Sequence, residues 1–150
     1  DLLINNAGIL SVESLDKMDF AAMRRQFEVN SLGPLNMTLA LLPHLNSGAK
    51  IGIVTSRMGS IADNGSGGYY GYRASKAAVN AIGVSLARDL APRGITVVLL
   101  HPGFVKTDMT GQRGTVEPKD SAAGLIARLD AATPETSGHF FHFEGGELPW

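Results

Sequence analysis

Apolar residues come along this chain in short dense runs separated by longer amphipathic stretches. Leu2-Leu3-Ile4 is one such run, and it stops at the polar, turn-prone Asn5-Asn6-Ala7-Gly8, so it reads as a buried strand. From Asp19 to Leu45 the spacing changes. Phe20, Met23, Phe27, Leu35, Leu39 and Leu42 fall on a stripe of helical period. Lys50 to Thr55 (Lys-Ile-Gly-Ile-Val-Thr) reads as a second strand, and Ser56 to Gly71, rich in Gly, Ser and Asn, as a loop. Tyr72 to Leu90 is a second long helical pattern, stopped by Pro92 and Gly94. Ile95 to Leu100 is apolar throughout, as in a strand covered on both faces. A loop over His101 to Pro118 follows, then a third helix containing Ala122 to Leu129, and a short strand over Phe140 to Phe143. Strands alternating with helices specify an α/β fold, a parallel sheet with helices packed on it.

Composition narrows the function classes. The 150 residues are 44% hydrophobic and 18% charged, which suits one globular domain with a real core. Net charge is −1 with no basic run, so nothing favours nucleic acid. Cysteine is absent, which excludes disulfides, thiolate metal sites and a thiol nucleophile. No apolar stretch approaches the ~18 residues of a membrane span, and the chain is read as cytoplasmic.

Candidate chemistry gathers where the strands end. In parallel sheets ligands bind beyond the carboxyl ends of the strands. Asn5 to Gly8, Ser56 and Pro102-Gly103 all follow predicted strands directly, so one edge of the sheet collects them. Tyr72 and Lys76 stand one helical turn apart and share a face. A phenol has an ordinary pKa of about 10, too high for proton transfer at neutral pH, and an adjacent ammonium lowers it. Tyr69 and Tyr70 have no lysine four residues on. Asn30 precedes Pro34 by four residues, and proline has no N–H to offer the Asn30 carbonyl. Either the helix continues with a kink near Gly33-Pro34 and leaves that carbonyl as a water site, or it ends at Asn30 as a cap and restarts.

Asn5-Asn6-Ala7-Gly8, the isolated Asn30, Ser56, Tyr72 with Lys76, and Pro102-Gly103 with Thr107 together resemble the short-chain dehydrogenase/reductase family. Val54 to Ser60 and the ending Glu147-Leu148-Pro149-Trp150 resemble its C-factor-like and carbonyl-reductase-like branch. The resemblance implies a partial Rossmann-type, doubly wound sheet and hydride transfer between NADP or NAD, with NADP favoured, and a carbonyl or alcohol. It implies that Tyr72 donates or accepts the proton, Lys76 lowers the Tyr72 pKa and holds the nicotinamide ribose, Ser56 binds the substrate oxygen, and Asn30 holds a relay water. Asn5, Ala7 and Gly8 would support the central strand near the adenosine, and Pro102, Gly103, Val105 and Thr107 would bracket the nicotinamide. Ser56 precedes Tyr72 by more residues than the family's commonest spacing, and the Asn64-Gly65-Ser66-Gly67-Gly68 insert absorbs the difference. Ser60 competes on spacing, but a strand end is the more rigid platform.

The Gly-rich pyrophosphate turn of the family, and the residue that selects NAD or NADP, do not occur in the sequence. The expectation is therefore the carboxyl-terminal, catalytic part of one larger domain, weakly active or inactive by itself. Its first strand, central in the whole fold, would here be an uncovered edge. The alternatives are a non-enzymatic C-factor-like signalling or interaction protein, or a truncated piece without a role. Met37, Leu41 and Val84 are candidates for a homodimer face, and core burial explains them equally well. Phe104, Met109 and Phe140-Phe141 point to an apolar carbonyl substrate. The four histidines are expected to be structural or on the surface, without metal.

Overall fold

The computed structural model describes residues 1–150. Four parallel strands form one sheet in the order β1-β2-β3-β4: β1 (Leu2–Asn5), β2 (Lys50–Val54), β3 (Thr96–His101) and β4 (Phe140–His142). Strand order follows chain order, and Ile4 pairs with Gly52, Gly52 with Val98, and Leu99 with Phe140. The helices between them are α1 (Phe20–Phe27), α2 (Gly33–Leu41), α3 (Tyr70–Leu90) and α4 (Pro118–Ala131). The α/β architecture read from the sequence is therefore present, with strand ends shifted by one residue. Helix α3 starts two residues before Tyr72, and α4 extends four residues further back than Ala122, beginning at Pro118, whose fixed φ suits a first helical position. No helix is long and apolar enough to cross a membrane.

The core follows from strand alternation. Ile51, Ile53 and Val97 pack with Val79, Leu86, Ala87 and Leu90 of α3 on one face. Val98 and Leu100 point the other way, against Leu129 and Ala132 at the end of α4. Helix α4 does not extend over β1, so Leu2 and Ile4 are 52% and 43% exposed, and the uncovered edge expected from the sequence is there. Phe140 is buried between Leu99 and Leu148, with Val84 packed beside it. Phe140 is thus core and lines no substrate pocket, which corrects that assignment, while partly buried Val84 packs against this core as the second of its two readings allowed. Met37 is half exposed on α2.

The long helical stripe is one continuous rod with a defect. Asp19 caps α1 by accepting from the Ala22 N–H at 2.8 Å. Glu28–Leu32 is a π-helical turn, with the Gly33 N–H reaching back to the Glu28 carbonyl, and α2 continues from Gly33. The helix does not stop at Asn30. It widens by a residue just before Pro34, where an ordinary ladder would lack a donor.

The start of α3 is held from a distance. Tyr69 sits in the left-handed region (φ 52°) and offers no side-chain cap. Glu13, buried, supplies the cap instead: its carboxylate accepts from the Gly71 N–H at 3.0 Å, from Gln26 Nε2 at 2.8 Å and from the Ser11 hydroxyl at 2.7 Å. A carboxylate suits the positive end of a helix. Replacing Glu13 by Ala leaves three donors without a partner, and is expected to lower the unfolding free energy by about 3 kcal/mol or more in urea titrations, with Glu13→Gln costing less.

Candidate active site

The carboxyl ends of the strands form the rim on which the site is built. Asn5, the last residue of β1, turns its amide to the Thr38 hydroxyl of α2 at 3.3 Å and so is spent on joining strand to helix. Ala7 is exposed. Beyond it, Ile9 is gripped at two points by Asn30: the Ile9 N–H donates to Asn30 Oδ1 at 2.8 Å and Asn30 Nδ2 donates to the Ile9 carbonyl at 2.9 Å. The same Nδ2 reaches the Ser75 hydroxyl of α3 at 3.0 Å, and Ser31 Oγ donates to the Ser75 carbonyl at 2.8 Å. The π turn thereby presents consecutive side chains to one turn of α3.

After β2 the chain makes a short turn, Arg57–Gly59. Ser56 caps it, its Oγ accepting from the Met58 N–H at 3.1 Å. Gly59 rests on α3 so closely that a Cβ there would lie 2.7 Å from the Lys76 carbonyl carbon, which only glycine permits. This close approach brings Ser56 to Tyr72. Both are buried, and the Ser56 hydroxyl is near enough to the phenol to act on its pKa. Ser60 is also buried, but its hydroxyl accepts from the Asp63 N–H at 3.1 Å, inside its own loop.

Burial raises the Tyr72 pKa, and the nearby Ser56 hydroxyl opposes that rise without cancelling it. Lys76 is one turn along α3, its Nζ 5.8 Å from the Tyr72 ring centre and bonded to the Val54 carbonyl at 3.0 Å. Burial lowers the Lys76 pKa from 10.5 to about 8. Desolvation is the larger influence on the phenol in this structure, and it acts against the lowering that a neighbouring cation exerts. The phenol is held in its protonated form. A Cβ at Gly8 would lie 3.3 Å from Asn30 Oδ1 and 3.5 Å from Lys76 Nζ, so the glycine leaves room beside the ammonium. An ammonium at the strand ends, with only a glycine beside it, is the type of group that takes ribose hydroxyls, and the residues present fit a nicotinamide nucleotide.

The Pro102-Gly103 loop is anchored from behind. The Ser121 hydroxyl of α4 donates to the Pro102 carbonyl at 2.7 Å, and Gly103 has φ +84°. Val105 bridges to Val116, and Thr107 caps the Asp108–Thr110 turn through a reciprocal pair with Thr110. Thus Asn30, Gly8, Ser56, Tyr72 and Lys76 come together, whereas Asn5 and Thr107 are engaged in local bonds. Phe104 and Met109 are half exposed on this loop. Glu13, Gln26, Ser31 and Ser75 support the site and carry no local signal. Ser75 alone could have been noted, since it lies between Tyr72 and Lys76.

The sequence profile described as short chain dehydrogenase matches residues 1–118, and the chain belongs to that family. It is 49% identical over 153 residues to C-signal of Myxococcus xanthus, covering 100% of this chain and 92% of that protein. It is 48% identical over 154 residues to 1-hydroxy-2-glutathionyl-2-methyl-3-butene dehydrogenase of Rhodococcus sp. (strain AD45), covering 100% of this chain and 68% of that protein. Among solved structures it resembles carbonyl reductase Sniffer of D. melanogaster (TM-score 0.93, 32% identity, 99% of this chain and 66% of that one). It also resembles the NADPH-bound carbonyl reductase from chicken fatty liver (TM-score 0.89, 34% identity, 100% of this chain and 66% of that one). The chain is an α/β domain of the short chain dehydrogenase family, similar to carbonyl reductases and to C-signal, and it spans about two thirds of the length of those reductase structures.

The buried ammonium has a measurable cost. Its folded pKa of about 8 lies below the unfolded 10.5, so the penalty is fully present below pH 8 and disappears as pH rises towards 10.5. Lys76→Met is expected to unfold at higher denaturant than the parent at pH 7, by up to about 3 kcal/mol less about 1 for the lost Val54 bond. The difference should shrink as the pH is raised through that window.

Proposed function

We propose that the full-length protein is an NAD(P)-dependent oxidoreductase that reduces a small carbonyl compound, or oxidises the matching alcohol, with Tyr72 as proton donor or acceptor. The observation that carries this reading is a buried Tyr72 phenol with the buried Ser56 hydroxyl near it and Lys76 one turn further along α3. The nicotinamide supplies the hydride when bound. The chain's own groups do the rest. Ser56 donates a hydrogen bond to the carbonyl oxygen and orients it. Tyr72, kept protonated by burial, delivers its proton as negative charge develops on that oxygen. Lys76 then stabilises the phenolate, and a proton returns through a water on the main-chain carbonyl of Asn30, whose side-chain amide is already engaged with Ile9 and Ser75. Lys76 and Gly8 receive the ribose, and Pro102, Gly103, Val105 and Thr107 border the nicotinamide. The similarity to an NADPH-bound carbonyl reductase supports NADP over NAD. Exposed Phe104 and Met109 at the loop mouth support an apolar substrate, and exposed Met37 and Leu39 on α2 support pairing with a second copy.

One observation favours a second reading, a signalling or interaction protein without turnover: the chain covers 92% of C-signal. The full-length protein separates the two. Under the first reading, Tyr72→Phe slows NADPH-dependent reduction of menadione, an apolar carbonyl probe, by about 100-fold or more while NADPH binding measured by calorimetry stays. Undiminished turnover in that variant would sink the first reading. Partner capture that survives Lys76→Met, with no reductase activity in the parent, supports the second.

A pH profile gives an independent check. Reduction needs the protonated pair, so kcat/KM with menadione is expected to fall above an apparent pKa near 8, the value burial gives Lys76. That limb should be absent from the residual activity of Lys76→Met.

A further inference from the structure

His101 ends β3 and sits between two parts of the site, the serine turn and the Pro102-Gly103 loop. Its ring is in a defined place. Nδ1 accepts a hydrogen bond from the Arg57 N–H at 3.2 Å, and its main-chain carbonyl accepts from the Phe143 N–H at 2.9 Å. One residue thus ties the exit of β2 to the exits of β3 and β4. Arg57 directly follows Ser56 and opens the turn that Ser56 caps. The two leading N–H groups of that turn have separate acceptors: Met58 is served by Ser56 Oγ and Arg57 by His101 Nδ1. Serving as an acceptor leaves Nδ1 without a proton, which places the ring proton on Nε2.

We propose, on the oxidoreductase reading, that His101 is a positioning residue: its neutral imidazole takes the Arg57 N–H and so fixes the turn that presents the Ser56 hydroxyl to Tyr72 and substrate. The groups around the ring agree with a neutral acceptor. His142 of β4 lies 5.1 Å away, centre to centre, and Arg57 is on the turn itself. Asp63, the acid on that side, is ion-paired with Arg57 at 2.6 Å, and Glu144 faces His142 at 3.4 Å. Burial first, then His142 and Arg57, hold the His101 pKa down to about 4, with Asp63 opposing. The clasp therefore persists through the neutral range and opens only in acid, where a proton on Nδ1 would face the Arg57 N–H.

The variants are His101→Phe, which keeps a ring without an acceptor, and His101→Asn, whose Oδ1 takes the place of Nδ1. His101→Leu stands in where the Phe variant fails to fold. All are made in the full-length protein, with and without Ser56→Ala. His101→Phe is expected to lower kcat for NADPH-dependent menadione reduction by about tenfold or more, with the NADPH dissociation constant unchanged. His101→Asn should restore most of the rate. In the Ser56→Ala background, His101→Phe should add little, because the group it positions is gone. An equal loss in both backgrounds, or no recovery with Asn, would overturn the proposal. Hydrogen exchange at the Arg57 amide reads the clasp without turnover: protection should fall in His101→Phe and survive in His101→Asn. Unchanged exchange in the Phe variant refutes the clasp even if no carbonyl compound is reduced. Absent reduction in the parent with altered exchange sinks only the oxidoreductase reading.

Discussion

The first turns of α3 are fastened by polar bonds from elsewhere in the chain, and the site rests on that fastening. Glu13 holds the Gly71 N–H, Asn30 and Ser31 hold Ser75, and Lys76 reaches across to the Val54 carbonyl. Apolar contacts take over only further along, at Val79, Leu86 and Leu90. The division has a physical reason. Apolar packing sets how close a helix lies to a sheet but tolerates small slides, whereas buried hydrogen bonds fix direction and leave unpaired groups when broken. A phenol that must meet a serine hydroxyl from another element needs the second kind of restraint.

The cost of this arrangement is carried by the titratable groups of the candidate site. Burial works against the ammonium of Lys76 and against the anion of Tyr72. The scaffold around them is conventional, with fully buried Ile51, Ile53, Val97, Val98, Leu99 and Leu100 supplying the cohesion. The cohesive residues therefore lie on the sheet, whereas the strained titratable groups lie on α3.

Much of the architecture was legible because it is written locally. Apolar runs of strand length, a helical stripe and the stops at Pro92 and Gly94 identify elements without knowledge of partners. Tyr72 with Lys76 was legible because one helical turn links them. Pro34 flagged the irregularity at Asn30 through its missing N–H, though not that the helix would answer with a π turn. Glu13 and His101 were not legible, since their partners Gly71 and Arg57 lie far away in sequence, and a lone Glu or His carries no sign of what it will face. Phe140 misled for the opposite reason: an aromatic in a short strand looks like a pocket wall until the strand is seen inside the sheet. Spacing reveals the charge beside Tyr72 but not the loss of water that raises its pKa.

The two-point grip of Asn30 on Ile9 pairs a side-chain amide with a main-chain amide, as one rung of a ladder would. Such a rung requires a donor and an acceptor on the same planar group. Aspartate has the same outline but only acceptors: it would set oxygen against the Ile9 carbonyl, and could hold Ser75 only by drawing that hydroxyl off the Tyr72 carbonyl. Exchanging a single NH2 for O at this position would thus unhook the loop after β1 from the catalytic helix with no change in size, a disconnection that shape-based comparison of side chains would overlook.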